Sequence, residues 1–192
     1  MTALALAQQL KARFGDLLSE PVEFRGEISL EVADAERIAE LGVFAKNDLG
    51  FDYLVDVTSI DNYGDDPRWK VVYHLYGLSH RCYLRLRLGV REEKSELPTV
   101  TGVWRTANWH EREIYDMMGI RFQGHPDLRR ILMWEGYPYF PLRKDFPLAG
   151  KPSVMPEVAF SEAAPLDGGP FVTVPGGKDA INREPRARNP ED

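Results

Sequence analysis

Hydrophobic positions recur at helical spacing near the N-terminus, then switch to a period of two, and the switch divides the chain into elements. Leu4, Leu6, Leu10, Phe14, Leu17 and Leu18 predict an amphipathic helix over residues 2–18. Pro21 ends that pattern. PVEFRGEISLEV alternates as a strand or a turn-linked pair of strands. Asp34 is placed to cap a second helix, in which Ile38, Leu41 and Phe44 are spaced three apart and which Gly50 closes. FDYLVDVTSID reads as a strand, and Asn62, Gly64, Asp65, Asp66 and Pro67 supply the turn after it. WKVVYHLYGL and RCYLRLRLGV follow as two strands separated at Ser79-His80. In the second, Cys82, Leu84, Leu86 and Leu88 share a dry face, while Tyr83, Arg85 and Arg87 share a wet one, as in an antiparallel strand with one solvated side. LPTVTGVW leads into a third helix. The order predicts an α+β fold: a two-layer sandwich with helices on one face of a mostly antiparallel sheet.

From Arg121 onward the periodicity disappears, and prolines at 126, 138, 141, 147, 152 and 156 forbid long helices. Residues 151–192 hold seven prolines and two Gly-Gly pairs, yet also Val154, Met155, Val158, Phe160, Phe171, Val172 and Val174. A merely solvated tail needs none of these apolar groups. The expected organisation is an α+β domain over 1–150 and an extended C-terminal arm over 151–192 that wraps a partner or is in part disordered.

A chain of 192 residues with 43% hydrophobic content can bury one core. The net charge of −6 argues against nonspecific binding to nucleic acid or anionic lipid. The single cysteine, Cys82, cannot form an intrachain disulfide, hold a four-thiolate cluster or build a Cys-rich zinc site. It reads as a small buried hydrophobe in a reducing compartment. The N-terminal apolar run is too short for a secretory signal, and no stretch is long enough to span a bilayer.

The segment from Trp109 to Pro147, WHEREIYDMMGIRFQGHPDLRRILMWEGYPYFPLRKDFP, combines charges, aromatics and four prolines. It is too charged to be all core and too aromatic to be a floppy linker. Asn108 with Glu111 three residues on fits an N-terminal capping arrangement, and Glu111 and Glu113 suit the first turn. Arg112 and Asp116 stand four apart, so a pair along the helix is expected. Ile114, Met117 and Met118 form the dry side, and Gly119 stands where helices commonly stop. Beyond it, Arg121, Arg129, Arg130, Arg143 and Lys144 outnumber Asp127, Glu135 and Asp145, a local surplus of positive charge in an acidic chain. Arginine forks bind carboxylates bidentately. The expectation is an ion-pair lattice tying the loop 121–147 to the helix 108–118 and to neighbouring surfaces.

Catalytic signatures do not fit. His110-Glu111 begins like the helical zinc-protease motif, but Ile114 stands where the second histidine is required. Histidines 74, 80, 110 and 125 are too scattered for a metal cage. His125 before Pro126 is in the most suggestive setting, and a hydrogen bond to backbone accounts for it better than catalysis. Glu111, Glu113 and Asp116 as an acid–base pair are disfavoured by the arginines nearby, which favour plain ion pairing. No phosphate-binding glycine loop and no nucleophile elbow occurs. A stand-alone hydrolase using Glu113 or His125 is therefore the weaker reading.

Glu111-Arg112-Glu113, Tyr115-Asp116, Gly119-Ile120, Phe122, the run Gly124-His125-Pro126-Asp127-Leu128-Arg129-Arg130-Ile131-Leu132, and Pro141-Leu142-Arg143-Lys144-Asp145-Phe146-Pro147 resemble the signature of the NuoC family, the 30-kilodalton subunit of respiratory complex I, the proton-pumping NADH:quinone oxidoreductase. The resemblance extends upstream through FDYLVDVTSID and Tyr73 to Leu78, and covers roughly residues 5–150. It implies a cofactor-free subunit of the hydrophilic peripheral arm, with FMN, iron–sulfur clusters and quinone belonging to partner subunits. It implies docking on NuoD, near NuoB and NuoI, at the cytoplasmic face of the bacterial inner membrane. Under it, no residue is catalytic or binds metal. Glu111, Arg112, Glu113, Asp116, Gly119, His125, Asp127, Arg129, Arg130, Arg143, Lys144 and Asp145 become scaffold and interface groups, with Arg130 and Arg143 each meeting a carboxylate of a partner. The chain shows no NuoD-like extension after 150 and no organellar presequence, so a separate bacterial subunit is expected. A NuoC-like subunit of a membrane-bound nickel–iron hydrogenase or formate hydrogenlyase, or of a photosynthetic plastoquinone-reducing complex, is the alternative.

Overall fold

Period-two alternation in successive segments builds one sheet. In the computed structural model, which describes residues 1–147 and Lys151, β1 (Val22–Phe24), β2 (Glu27–Val32), β3 (Tyr53–Asp61), β4 (Trp69–Gly77) and β5 (Cys82–Val90) lie in the order β1-β2-β5-β4-β3. β3, β4 and β5 form an antiparallel meander in which Val57 faces Tyr73 and Tyr73 faces Leu86. The expected turn-linked pair over 21–32 is a β1–β2 hairpin. The sheet is mostly antiparallel as expected, with one exception. β2 runs parallel to β5, Ile28 opposite Leu84 and Val32 opposite Leu88.

Register decides which side is dry. Ile28, Leu30, Val32, Val71, Tyr73, Leu75, Leu84, Leu86 and Leu88 are buried in a single core with residues of the helices. Those helices are α1 (Ala3–Phe14), α2 (Ile38–Asn47) and α3 (Ala107–Met118). The opposite face is wet. There Glu31 meets Lys70 at 3.5 Å and Arg87 at 3.1 Å, and Glu27 meets Arg85. Cys82 sits half-buried at the start of β5, packed against the core, and burial raises its thiol pKa. It packs on the core as its strand position implied, but is only partly buried.

The differences from expectation are local. The first helix stops at Phe14 and gives way to a short 3-10 turn over Gly15–Leu17. Asp34 caps a 3-10 turn, Ala35–Arg37, that feeds α2, rather than α2 itself. The stretch after α3 is not wholly irregular: β7 (Arg121–Gln123) pairs in parallel with β6 (Glu96–Pro98). Two three-residue strands carry too little alternation to register as a pattern. Residues 1–146 form one compact unit. The expected arm, 151–192, lies outside the described residues apart from Lys151.

Helix α2 is clamped by Trp104, whose indole N–H donates to the Phe51 carbonyl at 3.1 Å while its ring lies on Gly42. A Cβ on Gly42 would stand 2.9 Å from that ring. The ring is buried and held by its hydrogen bond, so it has little room to yield. In Gly42→Ala, the helix-propensity gain of about 1 kcal/mol meets an overpacking cost of about 1–3 kcal/mol. The expected outcome is a net loss of about 1 kcal/mol in denaturant unfolding, with a shift in Trp104 emission. A more stable variant would show that the α2–Trp104 contact is loose.

Candidate functional site

Helix α3 carries charged residues inward, and the loop after it is built on them. Its moderately apolar side, Ile114, Met117 and Met118, faces the core. Asp116 lies on the same buried surface, with 0% exposure. One oxygen of its carboxylate accepts the backbone N–H groups of Ile131, Leu132 and Met133 at 3.0, 2.7 and 2.8 Å. The other accepts from Arg130, whose guanidinium also donates to the Asp116 and Tyr139 carbonyls. Burial alone would raise the Asp116 pKa, but the hydrogen bonds from Met133, Arg130, Leu132 and Ile131 outweigh it and hold the carboxyl below the usual range. Arg130 also lies 5.3 Å from the Phe140 ring and 5.6 Å from the Tyr137 ring.

The expected Arg112–Asp116 pair does not form, because Asp116 is already saturated by the loop. Arg112 reaches the same loop from another side and donates to the carbonyls of Arg129 and Arg130 at 3.2 and 3.1 Å. The loop's backbone donors thus end on an α3 carboxylate and two of its acceptors on an α3 guanidinium.

Glu111 and His125 occupy a second buried site. The helix begins at Ala107, its N-cap is Thr106 without a side-chain cap, and the first turn holds no acid. The expected Asn108–Glu111 capping arrangement is therefore absent. Glu111 is instead fully buried, accepting from the Val100 N–H at 2.8 Å and from the Thr99 hydroxyl. His125 accepts the Asp127 N–H on Nδ1 at 3.0 Å. Its ring proton is therefore on Nε2, which faces the Asn108 carbonyl at 3.3 Å. Burial lowers the His125 pKa and so favours the neutral ring, which lies 3.8 Å from Glu111. Burial likewise pushes Glu111 up to about 7, despite the Thr99 and Val100 hydrogen bonds. This histidine is bonded to backbone, as its sequence setting implied.

A third cluster holds the end of the loop, and its centre, Arg68, escaped the sequence reading. Asp61 and Arg68, each 4% exposed, form a bidentate pair with both contacts at 3.0 Å. Arg68 also reaches Glu92 at 2.5 Å and Asp145 at 2.8 Å, and lies 4.3 Å from the Trp69 ring. The Lys144 N–H donates to Asp61 at 2.8 Å. Burial raises the Asp61 pKa, but the Arg68 and Lys144 hydrogen bonds win and hold it low. Arg143 donates through Nε to the Met118 carbonyl at 2.7 Å, at the C-terminus of α3, and stacks on Phe140 and Trp69. Gly119 caps α3 with φ of 79°. A Cβ there would lie 2.5 Å from the Arg143 guanidinium and 2.7 Å from the Phe140 ring, so both backbone and space require glycine.

The lattice expected between the helix and the loop exists, with different partners. Arg130 pairs with Asp116, and Arg143 binds a carbonyl and two rings, so both act within the chain where partner carboxylates were expected. Asp145 answers Arg68 rather than the adjacent bases. Asp127 and Arg129 form an exposed pair at 3.0 Å, and the Lys144 side chain is exposed. Glu113 is exposed and makes no hydrogen bond or ion pair among the described residues. Among those residues no group of three or more His, Cys, Asp or Glu is placed to hold a metal ion, and no helix is long and apolar enough to cross a membrane.

Two expected outcomes test this lattice. Arg130→Ala leaves a buried carboxylate unpaired and lowers unfolding free energy by about 3–5 kcal/mol, whereas Arg129→Ala, in an exposed pair, changes it by less than about 0.5 kcal/mol. Equal effects in chemical denaturation would refute the division into internal and surface arginines. Glu111 holds its proton more tightly folded than unfolded. Its contribution is therefore complete below its ordinary pKa of 4.5 and is lost as pH rises through about 7. The loss is on the order of 3 kcal/mol. Glu111→Gln keeps the Val100 and Thr99 contacts without the titration, so unfolding measured from pH 4.5 to 8 should flatten; an unchanged slope would remove Glu111 as the cause.

Comparison with known proteins identifies relatives over this segment. Residues 31–152 match the family described as "Respiratory-chain NADH dehydrogenase, 30 Kd subunit". The chain is 51% identical over 142 residues to an NADH-quinone oxidoreductase C-subunit of Rhizobium etli (strain CIAT 652), covering 72% of this chain and 74% of that one. It is 46% identical over 142 residues to the NADH-quinone oxidoreductase C-subunit of Geotalea uraniireducens (strain Rf4), covering 74% of this chain and 86% of the relative. Among solved structures, "Nqo5 of the trypsin-resistant fragment (1-134)" superposes with a TM-score of 0.56 at 33% identity, covering 65% of this chain and 97% of the fragment. A chain of an archaeal membrane-bound sulfane sulfur reductase shares the fold, with a TM-score of 0.66 at 20% identity over 75% of this chain and 85% of the other. With the charged run that builds the lattice lying inside the matched span, the chain belongs to the respiratory-chain NADH dehydrogenase 30-kilodalton subunit family.

Proposed function

We propose that the chain is a non-catalytic, cofactor-free subunit of the hydrophilic arm of NADH:quinone oxidoreductase. It docks on NuoD, near NuoB and NuoI, at the cytoplasmic face of the bacterial inner membrane, and residues 1–150 are the docking domain while 151–192 form an arm. The observation that carries this reading is the state of the motif's charges. Glu111 and Asp116 are fully buried and hydrogen-bonded. Arg112, Arg130 and Arg143 are committed to carbonyls, to Asp116 and to aromatic rings. Groups held this way do not face a substrate; they fix the shape of a surface.

The role follows from what electron transfer asks of its scaffold. Tunnelling and quinone reduction depend on close placement of groups held by other subunits. A loop whose backbone is pinned from three sides offers a neighbour one conformation, and a rigid surface loses little entropy on docking. FMN, iron–sulfur clusters and quinone belong to the neighbours in this reading, and this chain supports transfer from NADH to quinone without bond chemistry of its own. The relatives' shared name favours this assembly over a hydrogenase one.

Affinity purification of the tagged full chain from membranes of its source organism tests the proposal. Expected are NuoD-, NuoB- and NuoI-like subunits and the NADH-oxidising flavoprotein in the same particle. Recovery only as a free monomer, a hydrogenase large subunit in place of the flavoprotein, or robust turnover of a small substrate by the purified chain would overturn it.

A further inference from the structure

One acid of the motif takes no part in the lattice. Glu113 points to solvent on α3 and has no partner among the described residues, whereas Glu111 and Asp116 on the same helix are buried and bonded. Glu113 lines a groove of about 130 Å3 between α3 and β3. Val57, Ile114 and Met117 give it apolar walls, and Leu142, 56% exposed, lies on its loop side. Asp56 is the second acid there, and its ion-pair contact is His110 Nδ1 at 3.2 Å.

The groove runs beside a sheet edge that no strand among the described residues covers. Among the described residues β3 is the last strand of the sheet and is laddered only to β4. It also presents exposed Tyr53, Val55 and Ile60. An edge of nine residues with apolar side chains is a template for another strand unless something covers or repels it.

The geometry points to this groove as the seat of an extended segment of a neighbouring subunit that adds to the β3 edge and carries a lysine or arginine beside an apolar side chain. The inference rests on the reading that the chain works inside a larger assembly. Each part of the occupant answers something in the groove. An extended backbone satisfies the unpaired groups of an edge strand, which a helix cannot do. An apolar side chain covers Met117 and Leu142. A cation meets Glu113 and Asp56, where an acidic segment would meet like charge. An acidic rim that serves only to repel other strands is the competing reading, and it predicts no occupant.

The test uses the full chain in membranes of its source organism. A photo-reactive p-benzoylphenylalanine replaces Thr58, which lines the groove, or Val43, an exposed residue of α2, as the control. Expected is a cross-link from position 58, absent from position 43, to a segment of another subunit that contains lysine or arginine next to an apolar residue. In parallel, Glu113→Lys should lower the fraction of chain recovered in the assembly about tenfold or more. Glu113→Gln should fall between, and the melting of the isolated chain should hold for both, since Glu113 bonds nothing among the described residues. No cross-link, a cross-link to an acidic or helical segment, or normal assembly of Glu113→Lys beside an assembled wild type overturns the groove alone. A wild-type chain found outside any assembly overturns the assembly reading and this inference with it.

Discussion

The structure turns on a carboxylate that takes the place of secondary structure. Residues 129–133 follow neither helix nor strand, yet their backbone polar groups need partners. Asp116 gathers three consecutive N–H groups and a guanidinium on one buried carboxylate. Arg112 answers two carbonyls of the same segment. Two side chains one helical turn apart thus do for the loop what a neighbouring strand would do for a straight segment. Burial would otherwise favour a protonated Asp116. The number of donors reverses that preference, so the charge is stable only while the loop is in place. Helix and loop are therefore one unit, and neither is fully described without the other.

The sheet was legible because its signal was redundant. Alternation in the segments that became β3, β4 and β5 agreed with the turn chemistry between them, and the dry and wet faces of β5 fell as its sequence ordered them. The parallel pairing of β2 with β5 left no such mark, since one strand's alternation does not say which neighbour it takes. The motif segment was legible in composition but not in wiring. Spacing put Arg112 and Asp116 on one helix face, and spacing alone cannot see that a loop fifteen residues on offers Asp116 more donors than Arg112 could. Arg68 was overlooked, yet a signal existed. Counting in twos from Val57 puts Asp61 on the dry side of β3, and a buried acid demands a counter-charge. The nearest base across the turn is Arg68.

Charge is sorted by depth around α3. Deep acids are bonded to backbone and arginine, while Glu113, Arg129 and Lys144 reach solvent. Sorting of this kind separates what holds the fold from what is left for partners. It also lets one short motif be dense in charge while most of those charges are spent inside the fold. Fold likeness alone says little about role, because the same scaffold serves different assemblies. The disposition of particular side chains says more.

The parallel pairing of β2 with β5 bears on the order in which the chain assembles. β3, β4 and β5 meet through short turns, so the entropy lost in bringing them together is small. Ile28 must wait for Leu84, and the intervening chain carries a helix and two strands. The N-terminal hairpin therefore has no place in the larger sheet until the meander exists, and on a ribosome it emerges long before its partner does. β2 is thus made before β5, packs locally on Leu17–Ser19, and gains its partner in the sheet only afterwards.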